Sequence, residues 1–192
     1  MISAETVVTP TAQQKETAAA YLAATRDELT DALKNLSPAQ WSFQRAPDEW
    51  SVADVVEHLA VLEGRIHLVI ARLPEAAPAE PDRNDMEVDE FIIRAVPHRT
   101  SRVQASEAVQ PKRQCTPADA LREFMAKRAE TVQLLESGPY LRGRVLPHPI
   151  LGPWDGYQWI LAAAAHTARH LDQIREIKSS EAFPKSTVGS ES

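Results

Sequence analysis

His166 and His170 stand four residues apart in the run AAAAHTARHLDQI, from Ala162 to Ile174, among alanine, leucine and isoleucine. In an α-helix, residues four apart lie about 40° from one another and one turn along the axis. The two imidazoles therefore point the same way. Trp159, Ala163, Ile174 and Ile177 share their side, while Arg169, Asp172, Arg175 and Glu176 gather on the other. The histidine side is thus the inward one. An unpartnered polar ring there costs roughly 1–3 kcal/mol, and charging both rings adds repulsion. A divalent cation resolves the problem, because each neutral ring gives it one lone pair and donates its other N–H elsewhere. Thr167 stands where an HExxH zinc-protease motif has glutamate, so that motif is excluded.

A site that keeps an open position usually has three protein ligands. His58, in VVEHLAVLE, is the preferred third ligand. It flanks the apolar stripe of its helix and sits in the second turn, near the end of a bundle where a substrate can enter. His67, deeper in the same helix and on the opposite flank, is the rival. His98 and His148 adjoin prolines and read as exposed loop residues that reach the site only from a rim. Gln173 reads as a bundle-interface glutamine, Glu57 and Glu63 as a solvated helix face, and Trp50, Trp154 and Trp159 as packing residues. Arg99 and Arg102 read as solvated loop cations. Cys115, the single cysteine, has no internal disulfide partner. Lys112 and Arg113 favour its thiolate slightly, but no neighbouring His or Asp completes a nucleophile.

Four amphipathic segments must position these residues. The first runs from about Thr11 to Leu36, with Tyr21, Leu22, Leu29, Leu33 and Leu36 at helical spacing. Ser37 and Pro38 open a short helical turn. Ser51 caps the second helix, with Asp54 completing a capping box, and Pro74 stops it. Val52, Val55, Val56, Leu59, Leu62, Ile66, Val69, Ile70 and Leu73 make its stripe. Residues 74–116 form a long proline-broken connection in which EVDEFIIRAVPHR holds one short helix, ending near Pro97. Thr116, Pro117 and Gly138 punctuate the third helix. A turn-rich stretch with three prolines and three glycines leads into the fourth, about Pro153 to Lys178. No strand pattern of useful length and no internal repeat is present. The expected fold is all-α: an antiparallel four-helix bundle with a long crossover between helices 2 and 3. It forms one domain over residues 1–192, with a core of about 11–178 and a polar tail at 179–192.

Composition narrows the function. Apolar residues make up 43% and charged residues 25%, ordinary for a soluble globular chain. A net charge of −6 with no basic stripe argues against a nucleic-acid partner. No stretch approaches the roughly 20 apolar residues of a membrane span. The opening MISAETVVTPTAQQKE lacks the basic and apolar regions of a secretory signal. A cytoplasmic protein with no membrane or nucleic-acid partner is expected.

The segments WSVADVVEHLAVLE at 50–63, HPILGPWDGYQWI at 148–160 and HTARHLDQI at 166–174 resemble the DinB-like (DinB/YfiT-like) superfamily. The resemblance covers most of the chain and the order of its four helices. It implies an antiparallel four-helix bundle with a long crossover. It also implies a divalent metal, zinc or nickel, held by His58, His166 and His170. Such proteins include metal-dependent thiol transferases and isomerases that use a low-molecular-weight thiol cosubstrate, and hydrolases; many are homodimers. The expectation is a metal-dependent thiol S-transferase or hydrolase acting on a small-molecule substrate. The alternatives are a non-catalytic metal- or ligand-binding stress-response module, and a helical scaffold whose histidines are satisfied by hydrogen bonds.

Overall fold

The structure is a computed structural model and describes residues 8–98 and 106–185. Arg99 and Arg102 lie outside the described residues. Among the described residues there are six α-helices: α1 (Ala12–Leu33), α2 (Pro38–Ser42), α3 (Val52–Ile70), α4 (Asp85–Ala95), α5 (Pro117–Ser137) and α6 (Gly156–Lys178). The long helices α1, α3, α5 and α6 pack together. α1 lies against α6 and α5, and α3 against the same two. Among the described residues no helix is long and apolar enough to cross a membrane.

Chain-local chemistry explains most helix starts. Thr11 with Gln14, Ser37 with Gln40, and Ser51 with Asp54 each form a capping box, and Thr116 caps α5. Three boundaries differ from expectation. α1 stops at Leu33 rather than Leu36, just before Asn35 takes a left-handed φ of +59°. α3 ends at Ile70, and a 3-10 turn over Leu73–Glu75 carries the chain past Pro74. α6 begins at Gly156, capped by Asp155 rather than opened by Pro153. Gly156 is there for close approach: a Cβ would stand 2.7 Å from Leu73 Cδ1 and 2.8 Å from Leu141 Cδ2.

The chain also forms a small sheet where the sequence showed no strand pattern. β1 (Ala77–Pro78), β2 (Arg144–His148) and β3 (Gly152–Trp154) pair antiparallel in that order, with Ala77 opposite Val145 and Leu146 opposite Trp154. These strands are short and contain Pro78, Pro147 and Pro153, so neither alternation nor β propensity marks them. The sheet ties the start of the connection to the entrance of α6.

Two apolar clusters fill the interior. One gathers Leu22, Ile66, Ile70, Trp154, Leu161 and neighbours; the other gathers Leu29, Val52, Val55, Val56, Phe124, Leu171 and Ile174. A buried polar crossbar also joins all four long helices. Arg128 of α5 donates to Glu63 of α3, to Leu22 O and Thr25 Oγ1 of α1, and to Ala163 O and Thr167 Oγ1 of α6. Arg128 and Glu63 are 1% and 2% exposed, which corrects the reading of Glu63 as part of a solvated face.

Candidate metal centre

The bundle brings His58 of α3 together with His166 and His170 of α6. Among the described residues these three form the one cluster of its kind able to hold a metal ion, with candidate ligand atoms within 4.8 Å of one another. His166 Nε2 lies 3.0 Å from His58 Nε2 and 3.0 Å from His170 Nε2. His58 and His170 are buried, and His166 is partly exposed.

The other ring nitrogens determine what these Nε2 atoms can do. His58 Nδ1 is 2.6 Å from the Val109 carbonyl oxygen, which only accepts, so the proton is on Nδ1. His170 Nδ1 is 2.8 Å from Gln173 Oε1 and is likewise the donor. Both rings therefore turn an Nε2 lone pair toward His166. A single N–H on His166 Nε2 can satisfy only one of these lone pairs, whereas a cation held among the three nitrogens satisfies both. Nitrogens sharing one ion tetrahedrally at about 2.0–2.1 Å stand about 3.3 Å apart, close to the 3.0 Å spacings here, so the donor set fits a divalent cation. Trp50, at the entrance of α3, covers the cluster, with its ring 4.8 Å from that of His58 and stacked 6.0 Å from that of His170.

The charge state agrees with this geometry. Burial, together with the like charges of His58, Arg169 and His148, pushes His166 down to about 3. Burial also lowers His58, against the opposing pull of the Val109 carbonyl. These imidazoles are neutral at pH 7 and available as ligands.

Neither the rival nor the rim residues join the cluster, although the charge of His148 reaches His166. His67 Nε2 is 2.8 Å from Thr131 Oγ1, and its Nδ1 is 3.2 Å from Glu130 Oε2. His98 is exposed, and its carbonyl accepts from Arg169. His148 is half-buried, with its ring 4.1 Å from that of Trp154 and 5.2 Å from that of Trp159, and it caps the β2–β3 turn by accepting from the Ile150 and Leu151 N–H groups. Cys115 is exposed, and burial with the nearby Glu57 and Asp119 charges raises its thiol; Lys112 and Arg113 do not favour the thiolate.

Three contributors to the site went unassigned in the sequence. Gln173 was read as an interface residue and Trp50 as packing. Val109 was invisible because it acts through its backbone carbonyl, 51 positions from His58. Gln173, three residues after His170 on the same helix, carried a local signal, since that spacing places side chains together.

A pH dependence follows. Burial lowers His58, His67, His148 and His166 below 6.5. The unfolded chain therefore binds these protons first, and stability falls as pH drops from about 6.5. For His166 the loss continues down to about 3. Asp155 opposes it: burial raises its carboxyl to about 6, which favours the folded state between 6 and its ordinary 3.8. Four histidines against one aspartate leave a net loss, at about 1.4 kcal/mol per pH unit for each net proton. Urea midpoints of the metal-free protein are expected to be lower at pH 5 than at pH 7. Equal midpoints contradict the buried, neutral assignment.

The comparisons with known proteins agree with the fold. The model of the DinB superfamily matches residues 21–174. The uncharacterized protein YuaE of Bacillus subtilis (strain 168) is 26% identical over 158 residues, covering 80% of this chain and 92% of that protein. A solved structure, YfiT from Bacillus subtilis, is similar with a TM-score of 0.59 and 17% identity, over 88% of this chain and 89% of its own. It is described as a probable metal-dependent hydrolase with an unusual four-helix bundle topology. With most of its length matched, its four long helices packed together and three histidines gathered between two of them, this chain belongs to the DinB superfamily.

Proposed function

We propose that the protein is a divalent-metal-dependent hydrolase of a small-molecule substrate, with His58, His166 and His170 as the metal ligands. The observation that carries this reading is the meeting of three Nε2 atoms while the Nδ1–H groups of His58 and His170 are engaged elsewhere. The description of YfiT as a probable metal-dependent hydrolase supports it. A bound cation supplies Lewis acidity: it polarises a substrate carbonyl and eases loss of a proton from a water or a thiol brought to it.

The chain's own groups do the rest. Val109 and Gln173 hold two rings in the tautomer that leaves Nε2 free, and Trp50 shields those rings on one side. His166, neutral at pH 7, completes the ligand set. The same Lewis acidity serves a thiol S-transferase with a low-molecular-weight thiol cosubstrate, so a test needs both substrate classes.

Protein purified without an affinity tag or chelator is expected to carry close to one divalent ion, zinc or nickel, per chain by elemental analysis. A panel of esters and amides, run beside thiol-plus-electrophile pairs, is expected to give turnover on the hydrolytic arm. Removing the metal should abolish that turnover and returning it should restore it, while His67→Ala changes neither. Turnover confined to the thiol arm makes the protein a transferase. Metal without any turnover makes it a binding module, and absence of metal leaves the helical scaffold.

A further inference from the structure

One edge of α3 grips the end of the connection at three points. The Glu57 carboxylate accepts the backbone N–H groups of Lys112 at 3.0 Å and Arg113 at 2.9 Å. The Asp54 carboxylate accepts from Arg113 Nε at 2.8 Å and from its terminal nitrogen at 3.0 Å. His58 Nδ1 donates to the Val109 carbonyl at 2.6 Å. Residues 54, 57 and 58 fall on one face of the helix because they are three and four apart. The gripped residues, 109, 112 and 113, are close together in the chain.

Two details mark this as a built contact. Arg113 has a φ of +57°, a left-handed conformation uncommon for a residue with a Cβ. In that conformation its N–H meets Glu57 while its side chain turns back to Asp54. Such conformations persist where the surroundings hold them. Asp54 is itself anchored, for its carboxylate also accepts from Ser51 N at 2.9 Å and Ser51 Oγ at 2.8 Å. The grip is thus fixed to the start of the helix that carries His58.

We propose that Asp54, Glu57 and Arg113 form a clasp that holds the Val109 carbonyl against His58, making Glu57 and Arg113 positioning residues that set the affinity of the three-histidine site for its cation. The affinity claim rests on the metal reading above. An imidazole whose Nδ1–H is engaged keeps its lone pair on Nε2. Freed of the carbonyl, His58 exchanges between tautomers, and the one protonated on Nε2 cannot ligate through that atom. A cation must then select the remaining fraction and hold the ring in place without help.

Glu57→Ala and Arg113→Ala test the clasp, with Glu57→Gln as an intermediate variant, because its single amide oxygen can accept only one of the two N–H groups that the carboxylate oxygens take separately. Two readouts are taken. Zinc affinity, by competition with a chromophoric chelator, is expected to fall about 10-fold in both alanine variants, the low end for loss of a group that orients a ligand. Glu57→Gln should recover at most part of that loss. In zinc-free protein labelled with ¹⁵N-histidine, His58 is expected to be protonated on Nδ1 in the wild type and mixed in the alanine variants. Zinc-free melting temperatures show whether the fold survives.

Unchanged His58 signals in both alanine variants overturn the clasp, as does a tautomer change with unaltered zinc affinity. If the wild type takes up no zinc, the metal reading fails while the nitrogen spectrum still decides whether the clasp positions His58. If wild type and variants bind zinc alike, the metal reading stands and the clasp fails.

Discussion

Replacing His166 by alanine is expected to abolish metal-dependent stabilisation while leaving the metal-free protein nearly as stable as the wild type. His166 Nε2 is the atom within 3.0 Å of both other ligand nitrogens, so its removal takes away the centre of the cluster. The two remaining rings are too few for a tight site, and the affinity loss should exceed the roughly 10–100-fold that follows loss of a group orienting a ligand. Metal at a thousand times its Kd stabilises the wild type by about 4 kcal/mol. That corresponds to roughly 8–16 °C in Tm for a chain of this size. The variant should show no such rise. Without metal, the lost ring is one that burial already holds neutral, with its pKa pushed down to about 3. Its removal relieves crowded nitrogens, which offsets the cavity left behind. Paired melting curves with zinc and with chelator check both halves. An equal metal-induced rise in His166→Ala contradicts the ligand assignment.

Arg128→Met is expected to cost about 3–5 kcal/mol, because it strands the Glu63 carboxylate in the core without its counter-charge. The Tm should fall by roughly 6–20 °C. Glu63→Leu alone strands the guanidinium in the same way. The double variant, Arg128→Met with Glu63→Leu, should be more stable than either single one, since a buried ion pair replaced by apolar groups of similar bulk is often neutral. The other acceptors on the crossbar keep partners: Thr25 Oγ1 donates to the Tyr21 carbonyl and Thr167 Oγ1 to the Ala163 carbonyl. A double-variant cycle in urea measures the coupling. Additive single and double effects mean that the pair does not act as a unit.

What the sequence revealed depended on how far apart the interacting residues lie. His166 and His170 were readable because four residues on one helix fix their shared direction without any neighbour. The caps at Ser37, Ser51 and Thr116 were readable for the same reason, as each bonds within three residues. The choice between His58 and His67 was not a local matter. Both flank one apolar stripe, and only packing decides that the first faces α6 while the second reaches Thr131 of α5. Glu63 was misjudged because a carboxylate's burial depends on a counter-ion, here 65 positions away. Glu57 was misjudged because its partners are backbone N–H groups of the connection, which no side-chain pattern reports. The strands escaped because strands of two to five residues, each containing a proline, have no periodicity to read.

The separation of the three rings orders events during synthesis. His58 leaves the ribosome 108 positions before His166, its partner in the cluster. The nascent chain therefore carries lone histidines, and later a bare pair on α6, but no complete nest for an ion. That nest closes only when α6 docks against α3, a long-range contact that must wait for most of the chain to collapse. If the three rings hold a cation as proposed, loading follows folding rather than seeding it, and an ion captured early by one imidazole has no hold strong enough to misdirect the chain.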